Sequence, residues 1–158
     1  MSTIEKKAHA LGLTIPEAPK PVAAYVPGVK SGDLIYTSGQ LPVVAGELKY
    51  KGKVGADVLE EAGYEAARIC ALNCLGVIKS IAGDLEMIEQ VVKVTGYVNS
   101  APGFTMQPKV INGASDTLQA LLGERGKHAR SAVGVNELPL NAACEVEMIV
   151  RIKSSRQS

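Results

Sequence analysis

The sequence predicts an α+β domain, a mixed β-sheet with two helices packed on one face, and three observations carry that prediction. Cys144, Val146, Met148, Val150 and Ile152 alternate with Glu145, Glu147, Ile149 and Arg151, the period-2 pattern of a strand with one buried face. Apolar residues recur at helical spacing in two long stretches, each closed by glycine. The elements also run strand, strand, helix, strand, helix, strand, strand, an order that mixes hairpins with crossovers.

A chain of 158 residues that is 46% hydrophobic fits one domain with a substantial core. We expect an N-terminal arm over 1–22, a single domain over 23–153 and a flexible tail over 154–158. The first 11 residues suit a short polar helix, after which TIPEAPKP enforces extended backbone, because each proline restricts its predecessor. A strand is expected around Ala23 to Val26, ended by Pro27 and Gly28. LIYTSGQLPV, Leu34 to Val43, suggests another, kinked at Gly39 and stopped at Pro42. Glycine there lets backbone approach a ligand or another chain, and Ser38 and Gln40 flank it with polar groups. A plain bulge is the commoner meaning of such a glycine.

Gly46 to Gly55 is a polar loop or irregular hairpin. The first long helix is expected from about Ala56 to Ala82, with Leu59, Ala66, Cys70, Cys74, Val77, Ile78 and Ile81 on its core face and Gly83 beyond its end. The same stripe buries Cys70 and Cys74, which makes them core thiols, not nucleophiles. Val91 to Val98 is a strongly β-branched strand. A second helix opens near Pro108, presents Ala114, Leu118, Leu121 and Leu122 to the core, and stops at Gly123 and Gly126. Asn112 lies early in it, where a buried amide is more often a structural hydrogen bonder.

Composition narrows the function. The net charge is +1 with the Lys and Arg scattered, and the aromatics are five Tyr, one Phe and no Trp. That argues against a nucleic-acid binder, because phosphate tracking needs a basic stripe and single-strand binding needs stacking aromatics. Three cysteines, no apolar leader and no long apolar run argue against a secreted or membrane-spanning protein, and the cytoplasm is the expected location. His9 and His128 have no cysteine near them, so no metal site is expected.

Ser131 to Val135 forms a short strand before the turn NELPLN, with Arg130 at its mouth. Paired as a hairpin with the strand from Cys144, it would bring Arg130 near Glu145 or Glu147. An arginine fork beside an acid can grip a small carboxylate while the acid orients or deprotonates water. A structural ion pair at a sheet edge is the other reading. The second sheet face carries Tyr, Ser and Glu beside Val, too apolar to lie bare, which suggests closed oligomers with ligand sites between subunits.

From Tyr25 to Ile152 the chain resembles the RidA family, also called the YjgF, YER057c and UK114 family. The matching pieces are Tyr25 with VPGV, GDLIYTSGQLPV, the helix ending at Gly83, KVTGYV, Asn112, RSAVGVNELP and CEVEMIV, in family order. The resemblance implies a chorismate-mutase-like homotrimer with clefts at the subunit boundaries. It implies hydrolysis of reactive 2-enamino and 2-imino acids, such as 2-aminoacrylate, to 2-keto acids and ammonia, with no cofactor. By position, Arg130 resembles the arginine that binds the substrate carboxylate, and Glu145 the acid that places water. Tyr25 resembles the tyrosine that comes from a neighbouring subunit. Gly39, Ser38 and the backbone at Ala132 would line the pocket, with Asn112 in support. Ala132 stands where family members commonly have cysteine. A non-catalytic trimer that binds small carboxylates is the alternative; the older endoribonuclease and translation-inhibitor label fits the composition least.

Overall fold

The computed structural model describes residues 1–20 and 24–154. Helix α1, Thr3–Ala10, opens on a reciprocal capping box between Ser2 and Glu5, which satisfies two backbone donors otherwise left free. It is docked, not loose: Ile4 and Ala8 are buried, and Lys79 meets Glu5 at 2.7 Å.

The main sheet comprises β1 (Gly28–Ser31), β2 (Leu34–Thr37), β5 (Ile88–Asn99), β6 (Ala129–Val135) and β7 (Cys144–Ile152), in the order β1-β2-β7-β5-β6. A separate small hairpin joins β3 (Val43–Val44) to β4 (Glu47–Leu48). Helices α2 (Glu60–Ala82) and α3 (Gln107–Leu122) supply the layer over the sheet. The fold is therefore α+β with a mixed sheet and three helices: the two long ones, and α1 within the first 11 residues, where a short polar helix is expected.

The alternation in β7 is realised: Cys144, Val146, Met148 and Val150 are buried, while Glu145, Glu147 and Ile149 are only partly covered on the opposite face. Val91, Val94 and Val98 of β5 meet Cys70, Ala71, Leu75 and Ile78 of α2 and Ile111, Ala114 and Leu118 of α3 in one core. Each large aliphatic side chain removed from water there contributes about 1.5–3 kcal/mol. Cys70, Cys74 and Cys144 are free and buried, and burial raises the Cys74 thiol to about 12.

Some expectations fail. The strand predicted before Pro27 instead begins at Gly28, where pairing with Thr37 fixes its register; Ala23 lies outside the described residues. Helix α2 starts at Glu60, later than Ala56, because 56–58 form a turn tied to Lys53 through backbone hydrogen bonds. Most consequentially, β6 and β7 do not form a hairpin. β5 lies between them, parallel to β6 and antiparallel to β7, and α3 provides the long connection that a parallel pair requires. The 136–143 segment has no two-residue turn to force adjacent pairing. It bends through positive φ at Leu140 and Asn141, and Lys51 bridges Ala142.

Among the described residues, no helix is long and apolar enough to cross a membrane, and no group of three or more His, Cys, Asp or Glu could hold a metal.

Candidate functional site

Arg130 sits opposite Val94 in the β5/β6 register, and its side chain turns to the helix side. There Nη1 donates to Asn112 Oδ1 at 2.8 Å and to Ser115 Oγ at 3.1 Å. Asn112 and Ser115 share a face of α3 because they are three residues apart. The helix approaches closely enough because β5 has Gly96 beneath it; a Cβ there would lie 2.4 Å from Ile111. Ser115 is held in turn by His128, whose Nδ1 donates to the Gly126 carbonyl at 2.6 Å and whose Nε2 lies 2.8 Å from Ser115 Oγ. Both Nη1 protons are thus spent. Among the described residues, Nε and Nη2 have no hydrogen-bond partner, so one bidentate edge of the half-buried guanidinium remains available. Ala132, two residues on, faces the same side and packs against the core.

Glu145 projects from the opposite sheet face. Its carboxylate lies against Gly39, where an added Cβ would meet Oε2 at 2.3 Å. Burial, followed by the charge of Glu147, pushes the Glu145 carboxyl above its ordinary value. Tyr97, the cross-strand partner of Glu145, donates its hydroxyl to Glu147, and that bond raises the phenol to about 12. Ser38 uses its hydroxyl locally, donating to Val26 O at 2.6 Å, while its amide donates to Pro27 O. These bonds anchor the segment bearing Tyr25, which is 63% exposed. Tyr25 and Gly39 line an open pocket of about 610 Å³, whose wall also includes Pro16, Glu17 and Lys20 of the arm.

The residues singled out in the sequence therefore fall into two groups. Arg130, Asn112 and Ala132 gather at the β6 edge under α3; Glu145, Gly39, Ser38 and Tyr25 gather around β7 and the end of β2. The close approach of Arg130 to Glu145 or Glu147 expected from a hairpin does not occur within the chain. β5 separates β6 from β7, a spacing of roughly 10 Å, and the side chains leave opposite faces. Ser115 and His128 were not foreseen as part of the arginine group, although the Asn112/Ser115 spacing on a helix was a usable signal.

A family profile described as "YjgF/chorismate mutase-like, putative endoribonuclease" matches residues 5–152. The chain belongs to the YjgF/RidA family. It is 43% identical over 147 residues to protein TCP17 of Trypanosoma cruzi, with 91% of each chain covered. It is 28% identical to the 2-iminobutanoate/2-iminopropanoate deaminase of Dermatophagoides farinae, covering 89% of this chain and 95% of the relative. Among solved structures, Agrobacterium tumefaciens Atu1372, described as of unknown function, superposes with a TM-score of 0.90 at 45% identity over 96% of this chain and 93% of its own. Escherichia coli TdcF with bound serine gives 0.62 at 26% identity over 87% and 94%. The YjgF/RidA family thus includes named deaminases, and this chain is more similar to Atu1372 than to TdcF.

Proposed function

We propose that the protein is a homotrimeric deaminase that hydrolyses 2-imino and 2-enamino acids to 2-keto acids and ammonia. The observation that carries this reading is the Arg130 guanidinium, fixed on one side by Asn112 and Ser115 with its Nε/Nη2 edge free. That edge suits a small carboxylate, which would be held by two parallel hydrogen bonds. Deaminase relatives at 28% identity support the chemistry.

The division into two groups supports a site shared between subunits. Arg130, Asn112 and Ala132 of one protomer would form one wall; Glu145, Gly39 and Tyr25 of a neighbour would form the other. Exposed Val29, Tyr36 and Val133 on the open side of the sheet give such an assembly apolar surface to bury.

In the reaction, the protonated imine already has an electrophilic carbon. With the carboxylate on Arg130, Glu145 accepts a proton from water as the oxygen bonds to that carbon, and the C=N π electrons pass to nitrogen. Proton transfer to nitrogen from the Glu145 carboxyl then makes ammonia the leaving group. The C–N bond breaks, the C=O bond forms, and the hydroxyl proton is released. An enamine first takes a proton at its terminal carbon to become the imine. Proximity and orientation can offset up to about 7–11 kcal/mol of barrier, and general-base assistance adds about 10²–10⁴-fold.

The test is to generate 2-iminobutanoate in situ with an amino-acid oxidase and follow its disappearance. Wild-type protein should accelerate keto-acid release, whereas Arg130→Ala should not; equal rates reject the proposal. The second reading, a non-catalytic carboxylate binder, rests on the same arginine and would show binding of 2-oxobutanoate without acceleration.

A further inference from the structure

We infer that Ser115 and His128 are positioning residues that select which edge of Arg130 meets the substrate, an inference that rests on Arg130 as the carboxylate anchor. The relay runs from a backbone carbonyl to the guanidinium. The Gly126 carbonyl can only accept, so the 2.6 Å contact assigns the proton of a neutral His128 to Nδ1. Nε2 is then an acceptor and takes the hydroxyl proton of Ser115 across 2.8 Å. With its proton committed there, Ser115 Oγ turns lone-pair density toward Arg130 Nη1 at 3.1 Å.

Asn112 Oδ1 takes the other Nη1 proton at 2.8 Å. Neither partner alone would define the guanidinium plane, since one hydrogen bond leaves rotation about its own axis. Two acceptors on Nη1 fix that plane and block the end-on Nη1/Nη2 fork. The side-on Nε/Nη2 fork is left to the ligand. The four members come from two pieces of chain: α3 gives Asn112 and Ser115, and β6 with the residue before it gives Arg130 and His128. The device depends on α3 lying over the β6 edge, and so on the parallel crossover.

The experiment compares wild type with Ser115→Ala, Ser115→Thr, His128→Ala and Arg130→Ala. With 2-iminobutanoate as substrate and 2-oxobutanoate as the calorimetric ligand, Ser115→Ala and His128→Ala should each raise KM and Kd roughly tenfold. The value of kcat should stay within about twofold, and Ser115→Thr, which keeps the hydroxyl, should restore KM. A substrate-free readout accompanies these: the ¹⁵N–¹H cross-peak of Arg130 Nε, assigned by its loss in Arg130→Lys, should exchange faster with water in Ser115→Ala. An unchanged cross-peak overturns the positioning role even if the protein hydrolyses no imine. Wild-type KM and Kd in Ser115→Ala, alongside lost binding in Arg130→Ala, would overturn the relay while leaving the anchor intact. Unaltered 2-oxobutanoate binding in Arg130→Ala would instead defeat the anchor itself.

Discussion

The Glu145 carboxylate occupies the space where any side chain at Gly39 would begin, with Oε2 2.3 Å from an added Cβ. Gly39→Ala should therefore displace a flexible carboxylate and leave the core alone. A misplacement on the order of 1 Å can cost about 10²-fold in rate, so kcat/KM for 2-iminobutanoate should drop by roughly 10- to 100-fold. The unfolding free energy should stay within about 1 kcal/mol of wild type. Steady-state kinetics and denaturant titration on the same preparations check both halves of that expectation.

The pH dependence follows from Glu145 and Glu147. Burial first, and the neighbouring carboxylate second, raise the Glu145 value above the usual 4.5, so the protonated form persists to higher pH and the base form is fully available only above the raised value. The acid limb of kcat/KM should therefore lie above pH 4.5. Glu147→Gln removes the charge but not the burial. It should shift the limb to lower pH without abolishing it, as a pH–rate profile of the two proteins would show.

Gly113 lets α3 lie against α2, since a Cβ there would come within 1.9 Å of the Tyr64 carbonyl oxygen. That neighbour is helix backbone and cannot swing aside. Gly113→Ala should destabilise the fold by about 1–3 kcal/mol through overpacking, measurable as a lower denaturant midpoint with an unchanged slope.

Acid should weaken the docking of α1. The Lys79 hydrogen bond, followed by the Ser2 backbone, holds Glu5 down to about 2 from 4.5. The folded value is depressed, so the contribution is complete above pH 4.5 and is lost as pH falls toward 2. Glu5→Ala should cost about 1 kcal/mol near neutral pH through the lost cap and ion pair. The ionic part of that difference from wild type should shrink as pH falls through about 2 and be gone below it in denaturation curves.

Local pattern made much of the fold legible. The strict alternation from Cys144 announced β7, and Gly83 and Gly123 marked the helix ends, where φ is 88° and 61°. Pairing was not legible, because a strand's own residues specify which face is buried but not which neighbour it joins. Val133 and Val135 suit β5 as well as β7, and only the α3 crossover decides. The same uncertainty hid the site's division: Arg130 and Glu145 were recognisable from family order, but their separation depends on β5 intervening. Ser115 and His128 reach Arg130 only because α3 lies over β6, a placement no local pattern specifies. Tyr25 lay in a segment mistaken for strand because AYV is apolar and aromatic, while the actual strand, β1, begins with a glycine.

Subunit complementation tests the proposed sharing of the site between subunits most directly. Arg130→Ala and Glu145→Gln protomers are each expected to be inactive, and mixing them through reversible denaturation should assemble trimers in which some clefts combine an intact arginine wall with an intact glutamate wall. Random 1:1 mixing should restore about a quarter of wild-type imine hydrolysis. A mixed population as inactive as either parent, despite confirmed exchange of subunits, would contradict the account.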